Sequence, residues 1–531
     1  MSASCLDASA QLDLGKHELA RRPDERLTQK ASLNAVALLL DYFTKIAVGL
    51  VVTPILVGGL GRSVFGIWEM LGRLIGYMSV TDGRPTEALR LVIANEQAID
   101  DPASKRRYVG SALAIWVLFL PILVAAGAVL VWLSPTLTKA SPESYFSVRV
   151  TAAFLVINFL LANLAALPES VLRGTNLGYR RMGLQAGLNV VGAIAVAGAV
   201  YLGLGLIGIA GAQVLLSAIT GLLFWLVVRK YVSWFGIAKP SRSEIRSLLG
   251  VSVWNSLGSL IAKLHLASDV IILGVIASSS LVTTYVLTGY AAQTVIGIIT
   301  LNLGAASPGM GGLIGQKQYA KTAALRKEIM VMNWLLVTAI GSTILLWNKS
   351  FLHLWVGTEY YAGTWVNLLS VLIMAQTVFI RSDAYVIDAA LQLRDRVLVS
   401  ALAGILSIAF CLVLTRFFGI LGLCLGILGG RLTQTVCYPF MANALLDRSR
   451  GLRLYGLVRP GLAMCLLFAS SSYVGQRLLA RNWIEWAGCV GASLAVALCF
   501  ALVAGLSTDS REPLIKRLRL ICLSIGSQLR R

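Results

Sequence analysis

Tyr108–Leu133 reads YVGSALAIWVLFLPILVAAGAVLVWL, 26 residues without a single charge. About 20 apolar residues in a helix cross the hydrocarbon of a bilayer, so this stretch is long enough to span one. It must be helical, because a lone strand would leave its backbone N–H and C=O groups unsatisfied in lipid. Working outward, thirteen further apolar runs occur at 33–57, 64–82, 146–167, 183–202, 206–228, 248–277, 281–304, 329–347, 364–391, 397–415, 419–444, 457–479 and 484–506. Composition agrees. The 531 residues are 57% hydrophobic and 13% charged, whereas soluble domains carry about 25% charged residues. The sequence therefore predicts an all-α polytopic membrane protein of about fourteen transmembrane helices.

Lys and Arg number 46 against 25 Asp and Glu, a net charge of +21. Membrane topology accounts for that excess without any nucleic acid. With the N-terminus cytoplasmic, seven cations fall outside: Arg62, Lys139, Arg149, Lys349, Arg416, Arg477 and Arg481. Over four times as many lie in the N-tail, the inner loops and the C-tail, as the positive-inside rule requires. Both termini are thus expected in the cytoplasm and the chain in the cell inner membrane. The expected divisions are an N-tail (1–32), an N-terminal lobe of six spans (33–232), a linker (233–247), a second six-span lobe (248–446), two extra spans (457–506) and a basic tail (507–531). Six plus six spans, each set starting on the same side, suggest parallel repeats. Gly203–Gly211 and Gly419–Gly430 open spans six and twelve in the same Gly-rich way.

Other chemistry has little foothold. No apolar segment with a cleavage site precedes the first run, so no removable signal peptide is expected. The eight cysteines show no paired spacing and the histidines are only three, which argues against disulfides, zinc or any other metal. No cofactor is expected. Gly203, Gly205 and Gly208 form a GxGxxG string between two apolar runs with no strand before it, and read as a turn. Asn348-Lys349-Ser350 reads as a chance glycosylation sequon.

The informative residues are charges at membrane depth, each costing ~2.5–3.5 kcal/mol unless paired or hydrated. Lys45, Arg73, Lys263, Arg381 and Arg431 lie near the midpoints of their runs. Facing inward, they would make a cationic chamber. Acids are present in the same runs: Asp41, Glu69, Asp269, Asp383 and Asp388. Asp41 and Lys45 are spaced i,i+4, as are Glu69 and Arg73, so each pair could neutralise itself. Lys263 and Arg431 have no acid one turn away on their own helix. Arg381 has Asp388 on its side and Asp383 on another face. Asp269, one turn beyond His265, is a candidate for ion coupling, with Asp41 and Asp388 beside it. Ser307–Gly312 and Thr81–Pro85 should break the chain at the ends of spans eight and two.

The segment Asn34…Lys45…Pro54…Leu60-Gly61…Phe65-Gly66-Ile67-Trp68, followed by Tyr77 and Asp82-Gly83, resembles the start of Wzx-type polysaccharide flippases. Pro168-Glu169…Leu172-Arg173-Gly174 and Asp269-Val270-Ile271-Ile272-Leu273-Gly274 are also similar. These flippases belong to the multidrug/oligosaccharidyl-lipid/polysaccharide exporter superfamily. The resemblance implies two six-helix lobes working by alternating access. It implies a polyprenyl-diphosphate-linked oligosaccharide as cargo, often with a coupling ion, for surface polysaccharide such as O-antigen, lipopolysaccharide or exopolysaccharide. Membrane lipids and polysaccharide assembly machinery are the implied partners. The chamber cations would hold the diphosphate. Two other readings stay open: a multidrug exporter of the same superfamily, whose cationic cargo would favour acids, and a membrane glycosyltransferase. The last would want a large outer loop, and the longest here covers only 348–363.

Overall fold

A computed structural model of the chain describes residues 4–80, 82–83, 85–96, 101–250, 268–390, 392–446, 455–507 and 511. Helices make up the regular structure among them. They are α1 Ser4–Gly76, α2 Pro85–Asn95, α3 Pro102–Leu137, α4 Tyr145–Gly174, α5 Tyr179–Tyr201, α6 Gly205–Tyr231, α7 Ser268–Ile276 and α8 Ser279–Gly315. There follow α9 Tyr319–Trp355, α10 Thr364–Ala389, α11 Leu393–Gly430, α12 Leu432–Leu446, α13 Tyr455–Gly475 and α14 Trp483–Phe500. Local sequence explains several starts. Asp101 Oδ1 accepts from the N–H groups of Ala103 and Ser104, both at 2.9 Å, with Pro102 as first helical residue of α3. That combination satisfies the free donors of a helix start. Asn482 caps α14 in the same way, accepting from Glu485 N–H at 2.8 Å.

Ten helices among the described residues are long and apolar enough to cross a membrane. Two of these stretches, Leu39–Ser79 and Arg394–Leu446, each hold two of the runs read from the sequence. They bend at Gly61 (φ 77°) and Gly419 (φ 55°), in the left-handed region that a side chain disfavours. The thirteenth run is α13, and α7 is the described part of the seventh. Each run is thus helical over most of its described length, with turn or irregular residues only at run ends such as 476–479. The GxGxxG string is a turn: Gly203 and Gly205 both have positive φ between α5 and α6. Asn348 is 2% exposed, so the sequon is buried. One expectation fails. The backbone stays helical through Ser307–Gly312 and ends only at Gly315. In lipid an unwound segment has no water to satisfy it, so helix persists despite Pro308 and the glycines.

The chain forms two compact units, one of residues 1–61, 74–136 and 140–260, the other of 62–73, 137–139 and 261–531. The first has a core at one end of its helices. Leu89 and Ile93 of α2, Ala112 and Ile115 of α3, Val171 and Leu172 of α4, and Val228 of α6 are buried together there. Arg107 and Glu244 close that core with an ion pair at 2.6 Å. In the second unit α8, α9 and α10 are central. Over half of each apolar window is buried, against 17% for α3 and α6. The remaining helices of that unit, α13 and α14 included, surround these three.

Candidate functional site

The site in the second unit begins with a packing constraint. Gly422, Gly426 and Gly430 recur every four residues, so they line one face of the second half of α11. The first half, turned back at Gly419, lies against that face. A β-carbon on Gly426 would meet the backbone nitrogen of Cys411 at 2.6 Å. One on Gly430 would meet Ser407 Cα at 2.2 Å, and one on Gly422 the Leu414 carbonyl oxygen at 2.0 Å. Glycine alone allows this approach, as small residues do between membrane helices. The next residue is Arg431, and the tight hairpin fixes its backbone.

Arg431 is 8% exposed. Its Nη1 donates to Thr377 Oγ1 on α10 at 2.8 Å. Four residues on from Thr377, Arg381 donates from Nη1 to Thr300 Oγ1 on α8 at 2.9 Å. Residues i and i+4 share a helix face, so Arg381 of α10 and the Arg431 guanidinium bound to Thr377 lie along one side of α10. Arg431 also interacts electrostatically with Arg381, Asp269 and Tyr285. Asp269, at the start of α7, accepts from Tyr285 Oη at 2.8 Å. Gln376, beside Thr377, donates from Nε2 to Leu428 O and Thr435 Oγ1, both at 3.1 Å. Its buried Oε1 has no hydrogen-bond partner among the described residues. The site therefore offers two cations and an acid with its phenol.

The other candidates fall elsewhere. Lys263, with His265, lies outside the described residues. Lys45 pairs with Asp41 on its own helix at 2.8 Å in the first unit, and Asp41 also accepts from Asn189 at 3.1 Å. Of the two readings of that i,i+4 spacing, local pairing is the one present. Arg73 is half-buried in the second unit and acts electrostatically on Glu69. Asp388 pairs with Arg396. Asp383, 2% exposed, pairs with Arg326 at 2.7 Å. The acids nearest Arg381 in sequence thus have partners of their own. Among the described residues no group of three His, Cys, Asp or Glu could hold a metal ion. Sequence reasoning missed Thr377, Thr300, Gln376 and Tyr285. Their polarity in apolar runs was the available signal.

The sequence matches the family described as polysaccharide biosynthesis protein over residues 33–312, more than half of the chain. The chain belongs to the polysaccharide biosynthesis protein family. No curated protein matches it by sequence. Solved structures are similar in fold. The lipid II flippase MurJ, in an inward closed conformation, superposes with a TM-score of 0.63 at 11% identity, covering 88% of this chain and 98% of its own. An inward-facing multidrug resistance MATE family transporter of the MOP superfamily gives 0.56 at 13% identity, covering 77% and 100%. A MATE in complex with MaD3S gives 0.54 at 16%, covering 78% and 96%. The family member described here thus shares its fold with flippases and multidrug transporters.

Proposed function

We propose that this member of the polysaccharide biosynthesis protein family is a flippase. Its cargo is a polyprenyl-diphosphate-linked oligosaccharide, moved by alternating access across the cytoplasmic membrane, with both termini cytoplasmic. The observation that carries this reading is the pair Arg381 and Arg431 along one face of α10. Two guanidinium groups side by side at membrane depth repel each other and lose hydration. A diphosphate would relieve both costs through charge-assisted hydrogen bonds. Lys263, placed by the sequence at the same depth, and Arg73 would add to the attraction. Lys45, already paired with Asp41, has the weaker part. Asp269 is the coupling residue: its carboxylate, held by Tyr285 and within the field of Arg431, can exchange a proton or sodium ion as Arg431 is loaded and unloaded. Asp41 and Asp388 have pairing partners and are secondary.

The test is binding of a polyprenyl-diphosphate glycan to the purified Arg381→Gln and Arg431→Gln proteins, with melting temperatures recorded. Loss of binding at normal stability supports the reading. Normal affinity in both removes these residues from the site. Gradient-driven export of a lipophilic cation, inhibited by Asp269→Asn and untouched by the arginine variants, would instead establish a multidrug exporter.

A further inference from the structure

α14 does not end as an ordinary helix. Its last turn, Ala501–Gly505, is a π-helix, and two arginines from different parts of the chain hold its carbonyl groups. Arg459, in the first turns of α13, donates from Nε to Ala504 O at 2.7 Å and from Nη2 to Val503 O at 3.0 Å. Arg511, beyond the turn, donates from Nη2 to Val503 O as well, and from Nε and Nη2 to Leu506 O at 3.1 and 3.0 Å. The turn itself is anchored: Ala501 and Leu506 are buried with Trp334, Leu335 and Ala463.

Capping explains part of this, since the final carbonyls of a helix need donors. It does not explain why two guanidinium groups share the single acceptor Val503 O. Sharing it brings two like charges together, and among the described residues neither has a carboxylate partner. Each keeps its Nη1 N–H groups outside these bonds. Arg459 is exposed and Arg511 partly so. The start of α13, whose first N–H groups lack helical partners, adds positive potential alongside. In sequence, the stretches 447–459 and 507–531 carry eight further Lys and Arg against three Asp and Glu. The arrangement lies where two apolar helices end, which is where phospholipid headgroups lie.

We propose that Arg459 and Arg511 form a binding site for the phosphate of an anionic phospholipid headgroup, seated where α13 begins and α14 ends. One phosphate between the two Nη1 groups would neutralise the like-charge pair while the carbonyl bonds keep both guanidiniums oriented. The inference is independent of the cargo site, which uses other helices. Basic residues near a membrane surface contribute about 1 kcal/mol each toward anionic lipid, roughly fivefold in affinity per arginine.

The experiment uses the full chain purified in detergent and measures melting temperature by tryptophan fluorescence. Phosphatidylglycerol and phosphatidylcholine are titrated in parallel, with inorganic phosphate as a third arm. Phosphatidylglycerol should raise the melting temperature above the phosphatidylcholine value at equal lipid, and inorganic phosphate should not. In Arg459→Gln/Arg511→Gln the apparent affinity for phosphatidylglycerol should drop more than tenfold, whereas Arg459→Lys/Arg511→Lys should keep part of it. The readout is the difference between the two lipids, so a general loss of stability from lost capping does not imitate the result. If the double variant does not fold, the same difference is read on each single variant, with a fivefold loss expected. Equal response to both lipids, stabilisation by inorganic phosphate alone, or an unchanged difference in the variants would overturn the proposal.

Discussion

Thr377 holds Arg431 one helical turn from Arg381. The 2.8 Å bond from Arg431 Nη1 to Thr377 Oγ1 joins the hairpin of α11 to α10, and the Thr377 hydroxyl in turn donates to Ile373 O at 2.7 Å. The hydroxyl is thereby oriented to accept. Arg431 is positioned by a neutral group that aims its charge without cancelling it.

Replacing that acceptor should separate aim from charge. Thr377→Val keeps the volume and the arginine but removes the bond. A hydrogen bond to a charged group contributes ~1.5–3 kcal/mol, so binding of a polyprenyl-diphosphate glycan should weaken by roughly ten- to a hundredfold. Arg431→Gln should weaken it at least as much. An unchanged affinity in Thr377→Val would show that the bond does not orient the arginine for ligand.

The glycine face of α11 predicts a stability series. Gly426→Ala puts a β-carbon 2.6 Å from the backbone nitrogen of Cys411, and overpacking of this kind costs about 1–3 kcal/mol. The melting temperature should fall. A β-carbon on Gly488 of α14 would meet nothing within 4 Å, and Gly488→Ala should be neutral or stabilising by up to ~1 kcal/mol. Equal effects at the two positions would contradict the close approach.

Acid should weaken the first unit at one identifiable point. Burial pushes the Glu244 carboxyl up, but hydrogen bonds from Arg107 and from Ser241 N–H, with the Arg107 charge, outweigh it and hold it below the ordinary carboxylate range. A carboxyl lowered on folding stabilises the fold at neutral pH, and that contribution disappears as pH falls through the lowered value. The melting-temperature difference between the native protein and Glu244→Gln should be largest at pH 7 and shrink progressively below about pH 4. A difference independent of pH would disprove the assignment.

Sidedness is tested by reporters. Fusions at Lys239 and at Lys349 should report opposite faces of the membrane, Lys239 the cytoplasmic one, because the positive-inside rule places them so. A same-side result would refute the fourteen-span topology.

How much of this was legible in the sequence depends on the range of the interaction. Spans such as Tyr108–Leu133 declare themselves, because lipid demands a continuous apolar helix. The i,i+4 pair Asp41–Lys45 and the four-residue repeat of Gly422, Gly426 and Gly430 are local, and their contacts follow from helix geometry alone. Asp383–Arg326 and Arg431–Thr377 join residues more than fifty positions apart, and no period in the sequence marks them. Asp383 and Asp388 looked available to the central cations, but Arg326 and Arg396 claim them. Thr377 and Tyr285 gave only the weak signal of a hydroxyl within an apolar run.

The unbroken course of α8 through Ser307–Gly312 has a mechanical side. Pro308 has no N–H, so the carbonyl of Gly304 loses its helical donor. Gly311 and Gly312 have open space where a β-carbon would sit. The last third of this rod is therefore a flexure: it can bow without unwinding, because the bond that would resist bending is already missing. A helix at the centre of its unit can in this way transmit force along most of its length and dissipate it as curvature at one end.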